Sequence, residues 1–139
     1  MRFFFFLLLN LCTIVLILQC SEDQNPVSGT IKSYTGSWRW IRTTGGIGGQ
    51  TTVPGEYDVI IRKYDKTQNY RLYHNDSLKV RADYTIEPFE YDLDKISYSN
   101  IITYNYYLNR EYEYAMIHGD TLQIWDGNID GYFSWFIKQ

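Results

Sequence analysis

Apolar and aromatic residues in this chain return at every second position, in short runs broken by glycine, asparagine and aspartate. A period of two puts alternate side chains on opposite faces of an extended strand. No stretch after residue 36 holds the helical period over the roughly ten residues a helix needs, so the fold class is all-β. The first run, Ser37-Trp38-Arg39-Trp40-Ile41-Arg42, sets Trp38 and Trp40 on one face and Arg39 on the other. The glycine-rich residues 43–55 read as a loop. Further strands are expected over residues 56–63, 69–74, 78–86, 102–108, 111–117, 121–125 and 132–137. Residues 89–98 form a less regular one, and the strand before them is expected to stop at Pro88, which cannot donate to a ladder. Asn109-Arg110 reads as a tight hairpin turn.

About eight short strands at this spacing make a sandwich or a barrel. Open sheet edges in so short a chain would offer unpaired backbone groups to neighbouring molecules, and closure removes them. Hairpin after hairpin, with a strand at each end able to pair with the other, favours a small antiparallel up-and-down β-barrel. The interior of a barrel this size is filled by side chains or holds one small ligand.

The first 19 residues belong to a different regime. Met1-Arg2 is followed by an apolar run to Leu18 that holds no acid. The run is shorter than the roughly 20 residues of a membrane-spanning helix and has the charge order of a secretory signal peptide. Both cysteines of the chain, Cys12 and Cys20, lie in or at the end of this segment. The domain beyond it therefore has no disulfide and no thiol for nucleophilic or metal chemistry.

Ile17-Leu18-Gln19-Cys20 resembles a lipobox, with Gln19 where a small residue is usual. The resemblance implies diacylglycerol on the Cys20 sulfur and cleavage before it. Acyl chains contribute about 0.8 kcal/mol per buried methylene, and stable anchoring takes more than one chain. The polar, acidic residues that follow read as a tether, and Cys20-Ser21-Glu22-Asp23 resembles the signal that sends Bacteroidota lipoproteins to the outer face of the outer membrane. The expected organisation is a signal peptide over 1–19, a lipidated cysteine and tether over 20–35, and a barrel over 36–139.

Three short motifs extend the resemblance to the domain. Gly36-Ser37-Trp38 opening the first strand resembles the Gly-x-Trp signature of lipocalins. Together with Gly45-Gly46-Ile47-Gly48-Gly49-Gln50-Thr51-Thr52-Val53-Pro54 and Asp130-Gly131-Tyr132, it makes the chain similar to small lipocalin-like lipoproteins of Bacteroidota. Lipocalins usually close over the tryptophan with an arginine near the last strand, where this chain has Lys138.

Candidate binding residues are aromatic. Trp38 and Trp40 can floor a pocket or plug the barrel as core. Tyr104, Tyr106, Tyr112 and Tyr114 are expected to form paired ladders across one hairpin, either as a sheet-stabilising face or as a platform for sugar rings or a protein. Glu111 and Glu113 lie two apart and share a face, read as solvent-exposed. Asp126-Gly127-Asn128-Ile129-Asp130-Gly131 matches half a calcium loop but has Ile137 where the closing acid belongs, so it reads as a turn. No metal site, cofactor or catalytic set emerges. Acids and bases alternate along the chain, with a formal charge of −3 and no basic run for nucleic acid.

The function expected from these readings is a non-enzymatic, lipid-anchored binding protein of the bacterial cell envelope. It would capture a small apolar ligand or a glycan in or on the barrel. The alternative is a protein-interaction or inhibitor module that meets an envelope partner through its loops and aromatic face. A Cys20→Ala variant is expected to move from the membrane to the soluble fraction on cell fractionation. Its retention in the membrane would show that the apolar leader, not a lipid, is the anchor.

Overall fold

The computed structural model describes residues 33–93, 96–107 and 109–139. The leader, Cys20 and most of the tether lie outside these residues. Nine strands follow in order: β1 (Gly36–Gly45), β2 (Gln50–Thr52), β3 (Ile60–Tyr64), β4 (Asn69–His74), β5 (Ser77–Leu93), β6 (Ile96–Asn105), β7 (Arg110–His118), β8 (Thr121–Trp125) and β9 (Tyr132–Lys138). Every pairing is antiparallel, and β9 returns to β1. Eight strands thus close a barrel, and β2 is a short extra strand paired to the end of β1.

The expected all-β barrel is present, with two local differences. Residues 43–55 are not all loop, because β1 runs on to Gly45, turns through Gly46–Gly49 and pairs Thr43 with Thr52. The chain also does not stop at Pro88. β5 passes through it, with Pro88 opposite Asn100 and a register shift between Pro88 and Tyr91. An irregularity is where a ladder can absorb a residue lacking N–H.

Closure is made by β1 and β9, with Trp38 opposite Lys138 and Gly45 opposite Tyr132. A shift between Trp40 and Arg42 lets Trp38, Trp40 and Thr43 face inward. Gly45 cannot be replaced there, because a Cβ would stand 2.2 Å from the Gly131 carbonyl oxygen. This close crossing brings the β8–β9 loop onto the β1–β2 turn.

Inward positions form one core of Trp38, Trp40, Tyr64, Tyr70, Tyr84, Ile86, Ile102, Tyr104, Leu122, Ile124 and Phe136. Trp38 is fully buried. Its indole N–H donates to the Tyr34 carbonyl at 2.8 Å, and the Lys138 ammonium lies 5.1 Å from its ring centroid. One end of the barrel is thereby stoppered by Tyr34, Trp38 and Lys138.

Tyrosine fills this interior with a polar tip on each ring, so each buried hydroxyl needs a partner. Tyr84 donates to the Asp65 carbonyl at 2.9 Å, and Tyr34 accepts from the Asn100 amide at 3.1 Å. Burial pushes both phenols up to about 12 from the ordinary 10.0. Above pH 10 the unfolded chain therefore loses these protons while the folded barrel keeps them, so stability falls as pH rises through 10 toward 12. In an alkaline titration, the tyrosinate absorbance of these two residues is expected to appear together with loss of the β circular-dichroism signal. Replacing Tyr84 with Phe should remove its share of that dependence.

Candidate binding site

The middle of the barrel is polar where an apolar core would be expected. Arg62 on β3 alternates with Ile60 and Tyr64 and therefore points inward. Glu113 on β7 lies opposite the buried Ile102 and points inward too. The two side chains, 15% and 21% exposed, meet end-on with Nη1–Oε2 at 2.5 Å and Nη2–Oε1 at 3.0 Å. Glu113 is thus not on an exposed strand face as expected. It does share its face with Glu111, but that face is the interior side of the sheet.

The tyrosines complete the network. Tyr104 donates its hydroxyl proton to Glu113 at 2.8 Å and accepts from Arg62 at 3.2 Å. With that proton committed, Tyr64 donates to Tyr104 at 2.8 Å. Burial raises the Tyr104 phenol well above its ordinary value, and the Glu113 carboxylate adds to the effect. Burial opposes the Arg62 charge, but Glu113 and the surrounding tyrosines hold its pKa well above the arginine norm. The guanidinium also lies 4.9 Å from the Phe136 ring centroid. Its Nε, buried, has no partner among the described residues.

This filled interior decides where a ligand can sit. Trp38 and Trp40 are core, and neither borders the grooves beside Glu111, Lys63 and Asn105. Space opens at the mouth of the barrel. A groove of about 530 Å³ is bordered by Val80, Tyr106, Tyr107 and Glu111, with Lys79, Arg81 and Asn109 around them. Tyr106 stacks on Tyr104, centroids 6.4 Å apart, so its inner face is held while its outer part borders the groove. Burial pushes the Tyr106 phenol up to about 12. Tyr107 is fully exposed at the tip of the β6–β7 connection.

The four candidate tyrosines do not share a face. The register sets Tyr104 opposite Glu111 and Thr103 opposite Tyr112. The connection spans Tyr106–Asn109, closed by the Tyr106 N–H donating to the Asn109 carbonyl at 2.9 Å, rather than Asn109-Arg110. Any connection with an even number of residues pairs even-numbered positions with odd ones. Tyr104 and Tyr106 therefore turn inward, while Tyr112 and Tyr114 turn outward. Outside, Tyr114 stacks on Trp125 at 5.0 Å, Trp125 on Phe133 at 6.0 Å, and Arg42 covers Trp135 at 4.3 Å. Tyr112, at the margin of this group, is 56% exposed.

In the β8–β9 loop the Asp126 carboxylate accepts from the Asn128 N–H at 3.1 Å, as a turn requires. Among the described residues no three acidic, histidine or cysteine side chains gather into a metal-binding group. His74 pairs with Asp58 at 2.5 Å, and Asn75 bonds the Val59 backbone, which pins the loop before β3 to the β4–β5 turn.

Compared with protein-family models, curated proteins and solved structures, the chain matches none. The site therefore rests on geometry alone. A mouth groove combining aromatic faces, an amide and charges of both signs can hold a ring-bearing polar ligand.

Removing one partner of the interior ion pair strands the other. Glu113→Ala is expected to cost about 3 kcal/mol in urea unfolding. An Arg62→Met/Glu113→Leu double variant should recover most of that loss, because a buried pair contributes little beyond a well-packed apolar replacement.

Proposed function

We propose that this chain is a non-enzymatic, lipid-anchored binding protein of the bacterial cell envelope that captures a glycan on the outside of its barrel, at the groove beside Tyr106 and Tyr107. The observation that carries this reading is the contrast between a filled interior and an open, tyrosine-bordered groove at its mouth. A carrier of apolar molecules needs a dry cavity, and Trp38, Trp40 and the Arg62–Glu113 network occupy the space where it would lie. Sugar rings, by contrast, offer flat C–H faces to aromatic side chains and hydroxyls to amides and carboxylates. Tyr106, Tyr107, Asn109 and Glu111 supply those groups around one groove.

The resemblance to small lipocalin-like lipoproteins bears on the barrel and its anchor rather than on the ligand, and Lys138 over Trp38 departs from the arginine usual in lipocalins. In this scheme Cys20 holds the barrel at the outer membrane and the groove does the binding. A second reading, a protein-interaction module, draws on the outer stack of Tyr114, Trp125 and Phe133 beside the exposed Tyr112.

The test is a glycan array probed with the full chain extracted from membranes in mild detergent. At least one glycan should bind, and Tyr107→Ala should weaken that binding about fivefold to tenfold without lowering the unfolding temperature. Absence of binding across the array would sink the glycan reading. Loss of a protein partner in a Tyr112→Ala variant would favour the second one.

A further inference from the structure

Three cations stand directly opposite one another across the outer face of the barrel. Lys63 on β3 pairs with Arg71 on β4, and Arg71 pairs with Arg81 on β5. Like charges placed opposite each other weaken a sheet. The sequence nevertheless repeats the arrangement on three successive strands. Arg39 on β1, opposite Ile61, and Lys66, which borders one groove with Lys63, add to the same side.

Among the described residues the acids on this face are Asp65, which holds Arg71 at 2.8 Å, and Asp83 and Glu87 on β5. Five of the chain's 13 basic residues and three of its 16 acidic ones thus lie here among the described residues, a balance of +2 in a chain whose total is −3. Charge that looks interspersed along the sequence is separated in space.

The basic row also follows a furrow. A groove of about 290 Å³ near the start of β1 is bordered by Lys63, Lys66 and Arg71. A second, of about 500 Å³, shares Asn69 with the first and is bordered by Arg81 and Asn105. It shares Arg81, Tyr106 and Tyr107 with the mouth groove. Shared walls make the three grooves one track, cationic at one end and aromatic at the other.

We propose that the glycan held by this protein is acidic, a chain bearing uronate carboxylates or sulfate esters, lying along the track from Tyr107 to Lys63. The inference rests on the glycan reading above and adds the charge of the ligand. The tyrosines stack against ring faces, while Arg81, Arg71 and Lys63, spaced one strand apart, meet successive anionic groups. Strands in a sheet lie about 4.8 Å apart, close to the length of one pyranose ring, so each sugar residue can present its charge to the next cation. Guanidinium groups suit carboxylate and sulfate because their fork of N–H donors matches two oxygens at once.

The experiment measures binding of the full chain, in mild detergent, to oligogalacturonate, alginate, hyaluronan and dextran sulfate. The controls are methyl-esterified oligogalacturonate, unsulfated dextran, anionic phospholipid vesicles and a single-stranded oligonucleotide. At least one acidic glycan should bind about tenfold more tightly than its neutral form, with an affinity that falls as salt is raised. Lys63→Gln/Arg81→Gln should erase that difference, and wild-type protein in high salt gives the same readout without any substitution.

Equal binding of neutral and acidic forms would overturn the charge inference and leave glycan capture standing. Binding to none of the glycans would overturn both. Binding of the vesicles or the oligonucleotide in preference to every acidic glycan would overturn the inference and assign the basic row to a different anionic partner.

Discussion

The interior of this barrel depends on the pairing of Arg62 with Glu113. Tyrosine rather than leucine fills the space around it, and each phenol brings a hydroxyl that must be satisfied away from water. Tyr64 donates a hydrogen bond to Tyr104 and Tyr104 donates its own to Glu113, so the carboxylate ends a donor chain that starts in the core. Arg62 in turn sets its guanidinium against that carboxylate at a depth where an unpaired charge would be costly. The ion pair is less a source of net stability than the condition under which a tyrosine-rich core can exist.

A core organised this way has consequences for binding. It packs Trp38 and Trp40 into the core, and it pairs two charges with each other in the interior. The mouth groove lies at the rim, where Tyr106 passes from the packed interior to its wall. The rim and the outer face of β3, β4 and β5 form a continuous surface with its own charge.

Much of this architecture was legible in the sequence. Alternation identified most strands, and Asn69–His74 and Thr121–Trp125 fall where the pattern places them. The path through Pro88 was not legible, because a local irregularity can absorb a proline and nothing nearby in sequence announces one. The sharing of one face by four tyrosines failed on parity, which a count along the hairpin would have revealed. Arg62 and Glu113 carried a readable signal: each is a charge in phase with buried neighbours, Ile60 and Tyr64 for one, Ala115 and Ile117 for the other. The basic row was hidden for a different reason. Lys63, Arg71 and Arg81 are far apart in the chain and come together only through the register of three strands.

The pairing of the first strand with the last also dictates the order in which this molecule can form. Trp38 and Lys138 are 100 positions apart, yet they face each other across the seam. Loop-closure entropy makes such a contact late, after the local hairpins from β3 to β8 have formed. Until β9 is present, β1 and β8 are open edges and Trp38 lacks its Lys138 lid. A chain emerging N-terminus first, from a ribosome or a translocation pore, therefore cannot finish this barrel before its final seven-residue strand is free. The domain is built to close last at the seam between its first strand and its last.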